Sequence, residues 1–321
     1  MTTLFYLIYI PLQILWIPLS IIPLIVAWHQ QVTVSKKMGV SQTAIEIVTG
    51  RYQMDLFGLR VDPYTVSLIK ALPNAAPKSV AFILYPMLIA HKATKVNPFY
   101  MRPPSGGHEN ISEMVPVRTI CIDELIDKNL PQTKQLITLG AGMDTRSLLF
   151  QRDGLTTIEV DQELNHNFKQ EILKTLPDDY SSVTYVAVDF SKDDLFGELE
   201  KSGAFRASEK SIYLWEGVTL YLSEENVRHT LRELRERSAS GSRLICDFYA
   251  NRFLKIGKNS FTQSTLDKTG EAFAFGFDFS SDWEGTLRKF VESEGLQLES
   301  AYFMGSESKK GPFMSVAEIR L

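Results

Sequence analysis

The chain has 321 residues, of which 44% are hydrophobic and 22% charged, and its formal net charge is −4. That is a globular composition with enough chain to bury a large α/β core, and the lack of any basic block argues against nucleic acid as a partner. Cys121 and Cys246 stand far apart in apolar segments, outside any CxxC or Cys/His cluster. This excludes a disulfide scaffold, gives no sign of a metal site and predicts two buried, reduced thiols.

The first element is the most unusual. Residues 1–35 contain no charged side chain, and Leu4 to Trp28 is apolar apart from Gln13 and Ser20. A helix of about 22 residues rises roughly 33 Å, enough to cross the hydrocarbon core of a bilayer. Tyr6, Tyr9, Trp16 and Trp28 suit the lipid–water boundary. Pro11, Pro18 and Pro23 predict kinks, which helices in lipid tolerate. Residues 1–35 are therefore expected to be a membrane anchor. A spanning helix is the preferred form and a helix lying in the interface the second. A cleaved signal peptide lacks its basic start and small-residue cleavage site. Lys36 and Lys37 are the first charges, so a spanning anchor places the rest of the chain in the cytoplasm.

Residues 36–116 read as a helical cap on the substrate side. Ser41 is placed to cap a helix carrying Ile45, Ile47, Val48 and Tyr52. A second helix over 56–72 is broken by Asp62-Pro63. Residues 80–90 are apolar but interrupted by Pro86 and too short to span; they form either a core helix or a flap beside the anchor. Residues 97–116, with four prolines and Gly106-Gly107, predict an ordered loop.

From residue 117 to 321 strands alternate with helices. Strands are predicted at 135–139, 155–160, 183–188, 211–215 and 242–248, and helices at 144–151, 163–176, 193–201 and 223–238. That alternation predicts a parallel, doubly wound sheet. A helix at 283–294 and strands at 296–303 and 313–319 predict a C-terminal antiparallel hairpin. The insertion 249–282 carries Tyr249, Phe253, Phe261, Phe273, Phe275, Phe277 and Phe279. It reads either as the lining of an apolar acceptor pocket or as a lid packed on the core.

Gly140-Ala141-Gly142 follows the first predicted strand of this region. Alone it is a weak signal, because Thr145 stands where a dinucleotide fingerprint has its third glycine. The strand ends add to it. Asp161 closes the second strand, Asp189 and Phe190 the third, and Glu216 the fourth. Acids at successive parallel strand tips converge on one crevice, where open α/β sheets bind ligands. An acid at the second tip suits ribose hydroxyls, and an acid beside an aromatic ring suits adenine.

The blocks Leu139–Arg146, Glu159-Val160-Asp161, Val188-Asp189-Phe190 and Trp215–Leu222 together resemble the leucine carboxyl methyltransferase family. The resemblance covers roughly residues 38–321. It implies a Rossmann-like class I methyltransferase sheet and S-adenosyl-L-methionine as cofactor. By position it implies that Arg118 meets the cofactor carboxylate, Gly140 underlies its methionine part, Asp161 takes the ribose, Asp189 and Phe190 flank adenine, and Glu216 faces the amino group. Arg118 also has a structural reading, pairing with Asp123 or Glu124, and Arg146 one of pairing with Asp144.

No His–acid pair stands near these motifs, and His166 and His229 read as surface residues. Catalysis by positioning, with no general base, is expected. The expected reaction is O-methylation of a carboxylate or hydroxyl on a small or lipophilic acceptor. The alternatives are a nicotinamide-dependent oxidoreductase, disfavoured by the missing glycine and the lack of a Tyr-x-x-x-Lys pair, and a non-catalytic cofactor-binding module.

Overall fold

The computed structural model describes residues 1–177, 180–257 and 273–321. Helix α1 (Thr2–Trp28) continues through a π-helical turn, His29–Val34, into α2 (Ser35–Met38). The cap follows as α3 (Gln42–Leu56), α4 (Pro63–Ala71), α5 (Pro77–Ile83) and α6 (Tyr85–Thr94). The sheet region runs α7 (Met114–Asn129), β1 (Gln135–Leu139), α8 (Arg146–Leu149), β2 (Thr156–Asp161), α9 (Glu163–Leu173), β3 (Val183–Ala187), α10 (Leu195–Lys201) and β4 (Ser211–Trp215). It ends with α11 (Glu224–Arg237), β5 (Arg243–Tyr249), α12 (Asn251–Gly257), α13 (Trp283–Ser293), β6 (Gln297–Met304) and β7 (Met314–Arg320).

The cap elements start and stop for local reasons. The Ser41 hydroxyl accepts from Ala44 N at 3.2 Å and caps α3. The predicted helix over 56–72 is two pieces: α3 runs on to Leu56, and Asp62, accepting from Thr65 N at 2.9 Å, caps α4 ahead of Pro63. The apolar run around Pro86 also splits, at Leu84, into α5 and α6. These two pack against α1, and α6 buries Met87 and Ala90 there. The proline-rich loop is tied down by Glu109, which accepts from Ser105 N at 2.6 Å, Gly305 N at 3.2 Å and the Tyr302 hydroxyl at 2.5 Å.

Seven strands form one sheet in the order β3-β2-β1-β4-β5-β7-β6. The first five are parallel, and β7 runs antiparallel to both β5 and β6, as the predicted hairpin requires. The inner strands β2, β1, β4, β5 and β7 are buried on both faces, which is why they read as nearly unbroken apolar runs. Ile137, Ile158 and Trp215 pack on the face that meets α10, α11 and α13, while Leu136, Ile212 and Ile245 meet α7 on the other. Cys121 and Cys246 are buried free thiols. The strand order reverses direction between β1 and β4, and a crevice opens at their carboxyl ends.

Candidate cofactor cleft

A cavity of about 520 Å³ occupies that crevice. Arg118, Gly140, Asp161, Asp189, Phe190 and Glu216 all line it, although they come from α7 and from the ends of four strands. The roof is α3 and the turn before it: Gly39, Ser41, Ala44, Ile47, Val48 and Arg51.

The floor is the turn after β1. Gly140 has φ +70°, and a Cβ there would stand 2.3 Å from Val218 Cγ2. Only glycine fits both the left-handed backbone and the close neighbour. Gly140 N and Ala141 N donate to Val160 O at 2.7 and 3.0 Å, and Gly142 N donates to Asp161 Oδ2 at 2.5 Å. Asp161 Oδ1 accepts from Gln162 N at 2.7 Å and Asn165 Nδ2 at 2.8 Å. Three of the four acceptor positions on this carboxylate thus serve the chain itself, leaving one for a ligand hydroxyl.

After β3, Asp189 turns its carboxylate into its own loop. It accepts from the Ser191 hydroxyl at 2.5 Å and from Lys192 Nζ at 2.8 Å, and these bonds hold its pKa down to about 2. The Phe190 ring leans on Trp215 with centroids 6.3 Å apart.

At the tip of β4, Glu216 is enclosed by three arginines. Arg51 Nη2 lies 2.8 Å, Arg118 Nη2 3.0 Å and Arg146 Nη1 2.5 Å from its carboxylate oxygens. Burial pushes the Glu216 carboxyl up, and the three guanidinium groups outweigh it and bring it to about 2. Asp144 joins the same lattice through Arg51 at 3.1 Å and Arg146 at 2.7 Å. Arg118 does not pair with Asp123 or Glu124. It donates to Asp247 Oδ2 at 2.9 Å and to the Tyr249 hydroxyl at 2.6 Å. Asp123 is taken instead by Arg60 and Arg146, at 2.6 and 2.5 Å. The Nε atoms of Arg51 and Arg118 are buried and have no acceptor among the described residues.

The motif reading passed over Arg51 and Asp144, which line the cavity, and Asp247, which lies behind it and holds Arg118. An arginine on the same helix as the apolar Ile45, Val48 and Met54 was the available signal, since a buried arginine must find a carboxylate. His166 corrects a reading. It is buried, its ring meets Tyr185 edge to face at 5.5 Å, and burial lowers its pKa to about 4. The reason is that α9 turns this position onto β3. His229 is exposed, 3.6 Å from Glu233.

The aromatic insertion divides in two. Tyr249, Phe253 and Phe273 line the cavity with Met114, Leu220 and Tyr221. Their rings run in a chain, Tyr249 to Phe253 at 5.1 Å, Phe253 to Phe273 at 6.2 Å and Phe273 to Tyr221 at 5.6 Å. Phe275, Phe277 and Phe279 are buried core residues beneath, with Phe277 4.9 Å from Phe290. Phe261 lies outside the described residues.

A 3-2-1-4-5-7-6 sheet with an antiparallel seventh strand and a glycine-floored, acid-lined cleft is a Rossmann-like class I methyltransferase fold. Residues 61–235, more than half of the chain, match the leucine carboxyl methyltransferase family, and the chain belongs to that family. A provisionally named S-adenosyl-L-methionine-dependent methyltransferase of Mycolicibacterium smegmatis is 33% identical over 189 residues, 58% of this chain and 63% of that protein. A Streptomyces avermitilis protein named in the same way is 31% identical over 137 residues, 42% of this chain. The chain spans only 63% and 48% of the length of these two relatives. Among solved structures, magnesium protoporphyrin IX methyltransferase from Synechocystis is 15% identical, with a TM-score of 0.41 over 68% of this chain and 90% of that chain.

Proposed function

We propose that this chain is an S-adenosyl-L-methionine-dependent methyltransferase that O-methylates a carboxylate or hydroxyl on a small or lipophilic acceptor. Residues 1–35 attach it to a membrane with the catalytic part on the cytoplasmic side. The observation that carries this reading is the convergence of Arg118, Gly140, Asp161, Asp189, Phe190 and Glu216 on one cavity.

The donor set suits the cofactor. A carboxylate finds buried Nε–H donors on Arg51 and Arg118 that have no acceptor among the described residues. An ammonium finds Glu216, which stays ionised at any physiological pH. A ribose hydroxyl finds the remaining acceptor position of Asp161, and a planar base finds the Phe190 ring. Asp189 meets the base through whatever acceptor capacity its loop leaves. When bound, S-adenosylmethionine supplies an electrophilic methyl group.

The chain's own part is to position and to exclude water. The α3 roof, tied through Arg51 to Glu216, covers the polar end. Phe253, Phe273 and Tyr221 give the acceptor end an apolar wall, which favours a lipophilic acceptor. No histidine lines the cavity among the described residues. Burial drives the Tyr249 hydroxyl well above its ordinary pKa, and its bond to Asp247 adds to that, so it stays protonated. A carboxylate acceptor, ionised already, needs no base.

Calorimetric titration of the detergent-solubilised chain with S-adenosylmethionine, S-adenosylhomocysteine and nicotinamide cofactors tests the reading. Both sulfur compounds are expected to bind and the nicotinamides not; failure of both sulfur compounds refutes it. Labelled cofactor fed to a lysate, with product mass spectrometry, then identifies the acceptor class.

A further inference from the structure

We infer that α1 lies in the plane of one membrane leaflet instead of crossing it, so that the protein sits on the bilayer as a monotopic platform. This rests on the proposed membrane attachment and specifies its geometry.

The first observation is where α1 is seated. Near its start, Phe5 is buried with Met54, Phe57, Met87, Ala90 and Met101. In its middle, the Trp16 ring meets Phe82 at 4.9 Å and Tyr85 at 5.3 Å, and its indole N–H donates to Phe82 O at 2.8 Å. Past its end, the buried Ser35 hydroxyl accepts from Asn74 Nδ2 at 3.0 Å. Phe5 and Ser35 are thirty residues apart, about 45 Å of helix at 1.5 Å per residue. A helix that crosses a core of roughly 30 Å can rest on a body outside the bilayer only near one end. Here the body holds the beginning, the middle and the end. If α1 crossed, α5, α6 and the end of α3 would enter hydrocarbon with it, and α3 is the helix that delivers Arg51 to Glu216.

The second observation is the outward face of α1. Leu7 is 67% exposed, Leu15 73% and Ile22 73%. A patch of this kind is unfavourable in water and marks a contact surface. Phe82 and Tyr85 extend it onto the helices packed alongside.

The third observation is charge, which selects the occupant. Lys36, Lys37, Lys78, Lys92 and Lys95 are exposed on α2, on the two helices packed against α1, or directly after them. The acids in residues 1–102 are only Glu46, Asp55 and Asp62. A chain that is acidic as a whole thus turns a basic rim around this apolar face, which fits a leaflet with anionic headgroups.

The test adds full-length chain to preformed phosphatidylcholine–phosphatidylserine vesicles and reads topology with single cysteines, Cys121 and Cys246 being buried. Thr3→Cys, Lys37→Cys and, as a marker of the catalytic body, Lys201→Cys are each exposed to a membrane-impermeant maleimide, either outside or sealed in the lumen. The expected result is that none of the three reacts with lumenal reagent and that Lys37→Cys and Lys201→Cys react from outside. Lumenal labelling of Thr3→Cys overturns the in-plane geometry. Failure of the chain to co-sediment with these vesicles overturns the platform altogether, whether it stays monomeric or self-associates. Replacing Lys36 and Lys37 by Gln is expected to weaken co-sedimentation several-fold, and unchanged binding overturns the anionic surface as partner. Cofactor titration is independent of these readouts, so a failure here is distinguishable from failure of the methyltransferase reading.

Discussion

Arg51 Nη2 stands 2.8 Å from Glu216 Oε2 across 165 positions of sequence, joining the roof of the cleft to the tip of β4. Both side chains are almost fully buried. Breaking such a pair from one side strands the other charge, at a cost of about 3–5 kcal/mol. Arg51→Ala is therefore expected to lower stability by that order in urea unfolding and to weaken S-adenosylmethionine binding in calorimetry. Arg51→Lys keeps the charge without the two-pronged fork and is expected to recover part of the stability but less of the affinity. Wild-type behaviour of Arg51→Ala in both measurements removes α3 from the site.

Asp161 clasps the glycine turn through Gly142 N while retaining one acceptor position. Asp161→Ala is expected to weaken cofactor binding by about 10- to 100-fold, since losing a charged hydrogen-bond partner costs about 1.5–3 kcal/mol. Part of that loss reflects a loosened turn, so Asp161→Asn, which keeps the shape and one acceptor oxygen, is expected to fall between. A normal affinity in Asp161→Ala means that the ribose acid is assigned to the wrong residue.

Arg51 and Asp161 also mark how far sequence carries. Asp161, Asp189 and Glu216 were legible because each ends a parallel strand, and strand ends of an open sheet share one edge. The strands lay within about a residue of their predicted places because burial on both faces leaves long apolar runs. Arg51 was not legible as a site residue. Its role depends on α3 folding back over the sheet, a packing event that neither local pattern nor spacing encodes. The same holds for Asp247, which supports the cleft only because α7 brings Arg118 to its carboxylate. His166 was misread because on a helix so rich in polar residues one buried face is faint.

Gly140 gives a backbone test. An alanine there must hold φ near +70° and also displace Val218. Gly140→Ala is expected to cost about 1–3 kcal/mol in stability and to abolish cofactor binding. Adding Val218→Ala relieves the clash but not the dihedral, so partial recovery is expected. Full tolerance of Gly140→Ala alone means that the turn is built differently.

Acid titration separates two groups by window. His166 is held at about 4 by burial, below its ordinary 6.5, so the unfolded chain takes up its proton first. Its contribution to stability is complete above pH 6.5 and is lost as pH falls toward 4. Glu216 and Glu109, both lowered to about 2, act later. Their stabilisation is complete above about 4.5 and is lost as pH falls toward 2. His166→Phe, which can keep the contact with Tyr185, is expected to flatten stability between pH 6.5 and 4 and to leave the steeper loss below 4.5. An unchanged profile in the upper window shows that folding does not lower the His166 pKa.

The chain of rings from Tyr249 through Phe253 and Phe273 to Tyr221 is the wall of the cleft proposed to meet the acceptor. Phe253 is half-buried and lines the cavity, whereas Phe277 is core. Truncating them has different consequences. Phe277→Ala opens a core cavity and is expected to cost about 3–5 kcal/mol of stability. Phe253→Ala removes wall surface that an apolar acceptor would cover. It is expected to raise the KM for the acceptor about tenfold, corresponding to about 1.4 kcal/mol of lost contact, while S-adenosylmethionine affinity stays as in wild type. Comparing acceptors of increasing chain length sharpens the reading, because the penalty must grow with the apolar part that reaches the wall. A penalty that is the same for every acceptor, or that falls on the cofactor instead, shows that the rings only hold the lid in place.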